Sequence, residues 1–327
     1  AEATGKSIVE VGTTTFRPFY TPVSFGAFAG PFTGHHFQPV RKTPLHDWAD
    51  ELGAVFVETG LWMRSSWLPR EGEDWLAAAS REVLATRNGV GICDVSTLGK
   101  IDVQGRDAGA FLDKVYANTF STLPIGKVRY GLMLREEGIA FDDGTTWRLG
   151  QNDFLMTTTT ANAGKVMQHL EYYLDVIWPE LKVHVTSVTD QWAGAAIGGP
   201  KSREVLAACV TDTAVDNETL PFMGIVHGKI ADIPVMICRL SFSGERAYEV
   251  YCEAGYGTHV WEALMAAGKP FGIETLEAEP NAKSSATCLH ASVVSHALLR
   301  RFGQSCAWIL SDVAVSLGIA SAAASGA

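Results

Sequence analysis

The stretch "GKVRYGLMLREEGIAFDDGTTWRLGQNDFLMTTTT", residues 126–160, does most to limit the fold. Three runs rich in β-branched and aromatic residues are divided by "EEG" and "GQND", so the chain reverses twice within it. Reversals this short join antiparallel neighbours, because a parallel pair needs a long crossover. A long helical segment, "ANAGKVMQHLEYYLDVIWP", follows and is stopped by Pro179.

The same theme surrounds this stretch. "TPLHDWADELG" reads as a helix with Thr43 as N-cap, Pro44 at the first helical position and Gly53 as the stop. "AVFVETGLWMRSSWL" reads as a strand-like run. "GEDWLAAASREVLATRNGVG" is the clearest amphipathic helix, with Trp75, Leu76, Ala79, Val83 and Leu84 near one face. "ICDVSTLGKIDVQG" alternates like a strand pair, and "RDAGAFLDKVYA" reads as a short helix. Beyond the Pro179 stop, strand, helix, strands and helix recur, through "WAGAAIGG", "PKSREVLAACV", "GIVHGKIADIPVMICRLSF", "AYEVYCE" and "THVWEALMAAG". The pattern predicts an α+β fold of two related βαββ-type halves, not a doubly wound parallel sheet.

The two ends read differently. Residues 1–40 are rich in Thr, Phe, Pro and Gly and carry no helical period. Their aromatics want burial, which predicts an extended connector lying on another surface, unlike a polar flexible linker. The start has no methionine and no signal-peptide pattern, and is expected to be a processed or fragment start. From residue 277 the helix and strand punctuation fades into an Ala/Ser/Gly tail, expected to be partly disordered.

Charge and composition narrow the function classes. A formal net charge of −10 makes the chain a poor partner for nucleic acid or anionic membranes. No apolar run reaches the ~20 residues of a membrane span. The six cysteines are scattered without a CxxC pair, and are read as reduced, buried thiols of a cytoplasmic protein. The histidines include the pair His35-His36 but no HxxxH or HExxH, so no metal is expected.

Two carboxylate sites have the pattern of working groups. Asp142 and Asp143 stand together before Gly144. Asp-Gly between strands is a strong hairpin-turn signal. The alternative is a strand interior, where neighbours point to opposite faces and only one aspartate shares a face with Phe141 and the interior. A partly buried carboxylate there is suited to stabilising a cation or managing a proton. Glu249 lies between Tyr248 and Val250 in "SFSGERAYEVY", and is either on an exposed strand face or a buried, partnered group. Glu245 reads as solvated. The glycine clusters "GAAIGGPKSRE" and "GVGICD" lack the GxGxxG context, and "TTTTANAGK" is no Walker A loop. Ser241 and Ser243 have no acid–base partner near in sequence, so a hydrolase triad is unsupported.

Taken in order, "RKTPLHDWADELGA", "GICDVSTLGKIDVQGRDAGAFLDKV", "GKVRYGLMLREEGIAFDD", "WAGAAIGGPKSREVL", "LPFM" and "SGERAYEVY" resemble the aminomethyltransferase family, the glycine-cleavage T-proteins and their folate-dependent relatives. The resemblance spans 41–276 and implies an aminomethyltransferase-like, folate-binding fold built of ferredoxin-like halves. "GTTTFRPFYTPVSFGA", "DWADELGAVFVETGLWMRSSWLPR" and "DDGTTWRLGQNDFLMTTTT" resemble one branch of it, the alpha subunits of heterotetrameric sarcosine oxidases. There the module follows a dinucleotide-binding region, to which residues 1–40 would connect.

The resemblance implies tetrahydrofolate as the cofactor of this chain, with FAD, FMN and NAD elsewhere in a complex with beta, gamma and delta subunits. It implies that a flavin on another subunit oxidises sarcosine, and that folate takes the resulting iminium carbon as 5,10-methylenetetrahydrofolate, leaving glycine. The family's catalytic carboxylate falls on Asp143, with Asp142 as a structural neighbour. The pterin-binding glutamate falls on Glu249, Tyr130 lines the pocket, and Thr158 matches a polar pocket position. Two departures follow from the same comparison. "AEPNAKSSATC" stands where the family has an arginine motif and then a C-terminal barrel, and Arg300-Arg301 lie outside that context, so a frame disruption or truncation is expected over 277–327. Phe242 stands where many relatives have tyrosine. Two other functions fit the family: a free-standing aminomethyltransferase acting with a lipoyl carrier protein, and a truncated, non-catalytic regulatory relative.

Overall fold

The computed structural model describes residues 5–7 and 40–276. The expected connector and tail, with His35, His36, Cys288, Cys306, Arg300 and Arg301, lie outside the described residues, save residues 5–7 and 40 of the connector. Residues up to Arg41 form a separate unit, and the fold described below is that of residues 42–276.

The first helix starts later than its signal. Thr43 accepts the N–H groups of Leu45 on Oγ1 and of His46 on its carbonyl, and regular helix α1 runs over His46–Glu51. Gly53, at φ +78°, ends it as expected. The run expected as one strand is a hairpin of β1 (Val55–Thr59) and β2 (Trp62–Trp67). Its turn residues, Gly60 and Leu61, both have positive φ, as a tight hairpin with right-handed twist requires. A leucine in that conformation is uncommon, which is why the turn is hidden in the sequence.

Helix α2 (Trp75–Asn88) is capped by Asp74, whose Oδ1 accepts the Ala77 N–H at 2.8 Å. Asp74→Ala is expected to cost ~0.5–2 kcal/mol, read as a lower urea midpoint at unchanged slope. The helix turns an unexpected face inward. Ala78, Glu82 and Thr86 are buried, while Trp75, Leu76, Val83 and Leu84 are exposed at 41, 62, 50 and 59 %. Close approach selects this face. A Cβ on Gly91 would stand 2.1 Å from Thr86 Oγ1, so helix and strand touch at this pair, with no room for a larger side chain on the strand.

The remaining elements follow in order: β3 (Val90–Asp94), β4 (Gly99–Gln104), α3 (Ala108–Val115), β5 (Lys127–Leu134), β6 (Ala140–Gly150), β7 (Asp153–Thr158), α4 (Ala163–Tyr172), β8 (His184–Ser187), β9 (Trp192–Gly198), α5 (Ser202–Cys209), β10 (Val210–Thr211), β11 (Ile225–Ile230), β12 (Ile233–Cys238), β13 (Ala247–Glu253), α6 (Gly257–Gly268) and β14 (Ile273–Thr275). One sheet has five antiparallel strands in the order β5-β6-β7-β4-β8. The other has seven, β10-β11-β12-β13-β9-β3-β14, antiparallel except where β14 lies beside β3. Thus β3 and β4 are both strands, but they do not pair. The chain leaves one sheet and enters the other between them, and it crosses back between β8 and β9.

The core has three parts. Leu206, Trp261 and Leu264 of the helices pack on Ile197, Tyr248 and Val250 of the seven-stranded sheet. Phe111, Leu112, Val166 and Leu170 pack on Ile101, Phe154 and Met156 of the five-stranded sheet. The third cluster joins the sheets: Val128, Trp147 and Leu155 from one meet Cys93, Met236, Cys238 and Tyr251 from the other. Each sheet therefore buries both faces, one against helices and one against the other sheet, in an α+β arrangement. Cys93, Cys238 and Cys252 are buried, and Cys209 is half-buried. Among the described residues no helix is long and apolar enough to cross a membrane.

Candidate functional site

The aspartate pair lies inside a strand, not at a turn. Asp142, Asp143 and Gly144 sit within β6, opposite Met133, Leu132 and Gly131 of β5. The reversal falls earlier, where Arg135 N–H meets the Ile139 carbonyl and Gly138 has φ +82°. Gly144 serves a different purpose from the turn that Asp-Gly predicts. A Cβ there would stand 2.0 Å from the Thr157 carbonyl oxygen, so glycine lets β7 come close.

A bulge then decides which aspartate faces where. Pairing steps from Asp142 opposite Met133 to Ala140 opposite Leu134 and leaves Phe141 unpaired. Phe141 packs on His169 of α4, ring centroids 4.8 Å apart. Asp142 shares that side and is buried. Its Oδ1 accepts the Thr159 hydroxyl at 2.6 Å and Asn162 Nδ2 at 3.3 Å, and its Oδ2 accepts the Thr159 N–H at 3.2 Å. Burial pushes its carboxyl up, against the pull of those bonds. Asp142 thus ties the end of β7 to the start of α4.

Asp143 points to the opposite face, toward the other sheet, where its Oδ2 accepts the Tyr130 hydroxyl at 2.8 Å. Burial and then the charge of Asp143 push the Tyr130 hydroxyl up, so tyrosine keeps its proton. Thr145 and Trp147 follow on the same face. Trp147 Nε1 donates to Thr145 Oγ1 at 2.9 Å, and Thr157 Oγ1 lies 3.0 Å from the same oxygen.

The seven-stranded sheet contributes Glu249, in the middle of β13 between Ala196 of β9 and Cys238 of β12. Alternation places Tyr248 and Val250 in the helix-side core and Glu249 and Tyr251 on the side facing the other sheet. Tyr251 donates its hydroxyl to Glu249 Oε2 at 2.9 Å. Part of Glu249 is open, yet protein surrounds it, and this desolvation pushes its carboxyl above the usual range. The Tyr251 hydrogen bond and the charge of Lys100 oppose that rise.

The two carboxylates thus line facing sides of two sheets. The strands that carry them meet where Trp147 packs edge-on against Tyr251, centroids 5.3 Å apart. Tyr130 and Asp143 come together directly. Thr158 does not join them. It lies on the helix side of β7, and its Oγ1 donates to the Thr159 carbonyl. Its neighbour Thr157 holds the inward position, bonded to Thr145. Glu245 is not solvated as expected but pairs with Arg87 Nη1 at 2.5 Å. Ser241 Oγ accepts the Gly244 N–H in a turn, and Phe242 is exposed. Among the described residues no group of three or more His, Cys, Asp or Glu is placed to hold a metal ion.

The sequence reading missed Lys100, Thr157 and Tyr251. Tyr251 stands two residues from Glu249 and was legible by strand alternation. Lys100 and Thr157, opposite each other on β4 and β7, read as an ordinary solvent face until the second sheet covers them.

Comparison with known proteins adds three findings. The GCVT N-terminal domain family matches residues 45–280. The chain is 56 % identical over 291 residues to the sarcosine oxidase subunit alpha of Rhizobium meliloti (strain 1021), covering 84 % of this chain and 29 % of that protein. It is 45 % identical over 273 residues to the counterpart from Corynebacterium sp. (strain P-1), covering 82 % and 28 %. It thus spans under a third of the length of these relatives. An aminomethyltransferase of Corynebacterium aurimucosum is 32 % identical over 233 residues, 71 % of this chain and 60 % of that one. Among solved structures, the aminomethyltransferase T of the glycine cleavage system of Bartonella henselae shares the fold, with a TM-score of 0.61 at 24 % identity over 73 % of this chain and 60 % of that one.

Proposed function

The chain belongs to the GCVT aminomethyltransferase-domain family, and from that premise we propose that it is a tetrahydrofolate-binding, one-carbon-transfer module of the sarcosine oxidase alpha type. Its product would be 5,10-methylenetetrahydrofolate, its carbon source the iminium formed when a flavin-bearing partner subunit oxidises sarcosine. One observation carries the reading. Asp143 and Glu249, far apart in sequence, line facing sides of the two sheets, whose strands meet where Trp147 packs on Tyr251, the donor to Glu249.

The residues present fit a pterin by their chemistry. A pterin edge offers an amino group and ring N–H groups, and a carboxylate accepts two such bonds side by side. Glu249 supplies that acceptor from a rigid strand interior. Tyr130 supplies an aromatic face and, through its hydroxyl, holds one oxygen of Asp143. Tetrahydrofolate, when bound, supplies the nucleophilic amines that take up the carbon. Asp143 stabilises the incoming cation and holds a proton on its way from folate nitrogen to the departing glycine amine. Asp142 and Thr158 take structural roles in this assignment, whereas the family resemblance implies a pocket position for Thr158.

The test is a calorimetric titration of tetrahydrofolate into the purified chain and its Glu249→Ala variant. The wild type is expected to bind. Glu249→Ala is expected to bind ~10–100-fold more weakly, since a hydrogen bond to a charged group contributes about 1.5–3 kcal/mol. A wild-type chain that takes up no folate would overturn the function. Unchanged affinity in Glu249→Ala would overturn the pocket.

A further inference from the structure

Lys100 is fully buried on β4, at 0 % exposure, between two sheets. A buried ammonium is costly unless its protons and charge are answered. Its Nζ donates to the carbonyl oxygens of Ser96 and Leu98, each at 2.9 Å. Those carbonyls belong to the segment by which the chain crosses between sheets. The same Nζ stands 5.4 Å from the centroid of the Tyr251 ring, a cation–π distance. Tyr251 in turn donates its hydroxyl to Glu249. Backbone carbonyls satisfy hydrogen bonds but do not neutralise the charge, and the Tyr251 ring beneath the ammonium leads by its hydroxyl to the Glu249 carboxylate.

We infer that Lys100 is a positioning residue for ligand recognition: through the ring of Tyr251 and its own charge, it keeps Glu249 ionised and aimed into the space between the sheets. This rests on the folate reading of Glu249, and it explains how a carboxylate enclosed by protein can serve as a double acceptor. A protonated Glu249 would present one donor and fewer acceptor sites to the N–H groups of a pterin.

The groups around Glu249 support the assignment. On its own strand stands Tyr251. On β12 stands Cys238, whose thiol is pushed well up by burial and by the charge of Glu249. On β9 the opposing residue is Ala196, without charge. At the end of β3, the charge of Asp94 reaches Tyr251 and favours its protonated form. Lys100 is the cation among them, and its field lowers the Glu249 carboxyl against the upward push of burial.

The experiment follows the carboxyl carbon of Glu249 by carbon-13 NMR in the full chain, assigned by its absence in E249Q. Lys100→Met keeps most of the stem and removes the charge. It is expected to raise the midpoint of Glu249 titration by ~1–3 pH units, the range for loss of an adjacent opposite charge. Lys100→Arg is expected to restore it. Tetrahydrofolate affinity in Lys100→Met should fall at pH values between the wild-type and variant midpoints and match wild type well above both. A merely structural lysine would leave the midpoint in place, and an unchanged midpoint overturns the inference. Should Lys100→Met fail to fold by circular dichroism, the wild-type titration decides: a midpoint below 7 supports the inference and one above it overturns it. None of these NMR outcomes needs folate to bind, so failure here is separate from failure of the folate reading.

Discussion

Replacing Asp143 with asparagine is expected to slow one-carbon transfer by ~10²–10⁴-fold, the usual contribution of a positioned acid–base group. Asparagine keeps the shape and still accepts the Tyr130 hydroxyl, so folate affinity should stay within about threefold, well inside the tenfold that 1.4 kcal/mol would bring. On the proposed function, the change removes the anion that would face the cationic carbon and the oxygen that would receive a proton. In the assembly that the proposed function implies, oxidation of the amine should continue at its own rate. The carbon would then leave as formaldehyde by hydrolysis and not as methylenetetrahydrofolate. The ratio of those two products, measured at equal amine consumption, is the readout. A ratio unchanged from wild type would remove Asp143 from the chemistry, whatever its place in the pocket.

The second large effect is structural. Trp147 is completely buried, bonds Thr145 through its indole nitrogen and meets Tyr251 of the facing sheet. Trp147→Ala is expected to cost ~3–5 kcal/mol, for the lost transfer energy and for a cavity between two rigid sheets that cannot collapse. For a fold of this size that lowers the melting temperature by roughly 10 °C. Trp147→Phe keeps a ring against Tyr251 and loses the indole hydrogen bond, so its cost should be ~1–2 kcal/mol. Melting curves of both variants check the ordering. Equal losses would mean that the ring contact between the sheets contributes little.

Much of this architecture was legible in the sequence, because strand and helix periods are local. The three-strand run at 126–160 folds as three antiparallel strands, as read. What failed was local evidence used for non-local facts. In "ICDVSTLGKIDVQG" the alternation is real, but pairing partners are set by contacts far along the chain, and the two strands belong to different sheets. On α2 the large apolar side chains promised the buried face. The close approach of Gly91 to Thr86 instead turns the face of Ala78, Glu82 and Thr86 inward. The aspartates show a third kind of failure. Asp-Gly has the chemistry of a turn, but the glycine answers a backbone approach from β7, and a one-residue bulge at Phe141 assigns each aspartate its face. Thr158 lies on the helix side of β7 and Thr157 on the inward side for the same reason, since neighbours on a strand point opposite ways.

The crossing of the chain between sheets sets an order on synthesis. The five-stranded sheet is supplied by residues 99–187, a nearly continuous segment. Strand β3 is made before any of it, yet its hydrogen-bonding neighbours β9 and β14 arrive only at 192–198 and 273–275. As the polypeptide leaves the ribosome, β3 is thus an apolar segment with both edges open while a whole sheet is translated after it. Unpaired apolar edges of this kind recruit wrong partners. Slow production of residues 188–198 lengthens that interval and is expected to lower the share of chain that reaches the folded form.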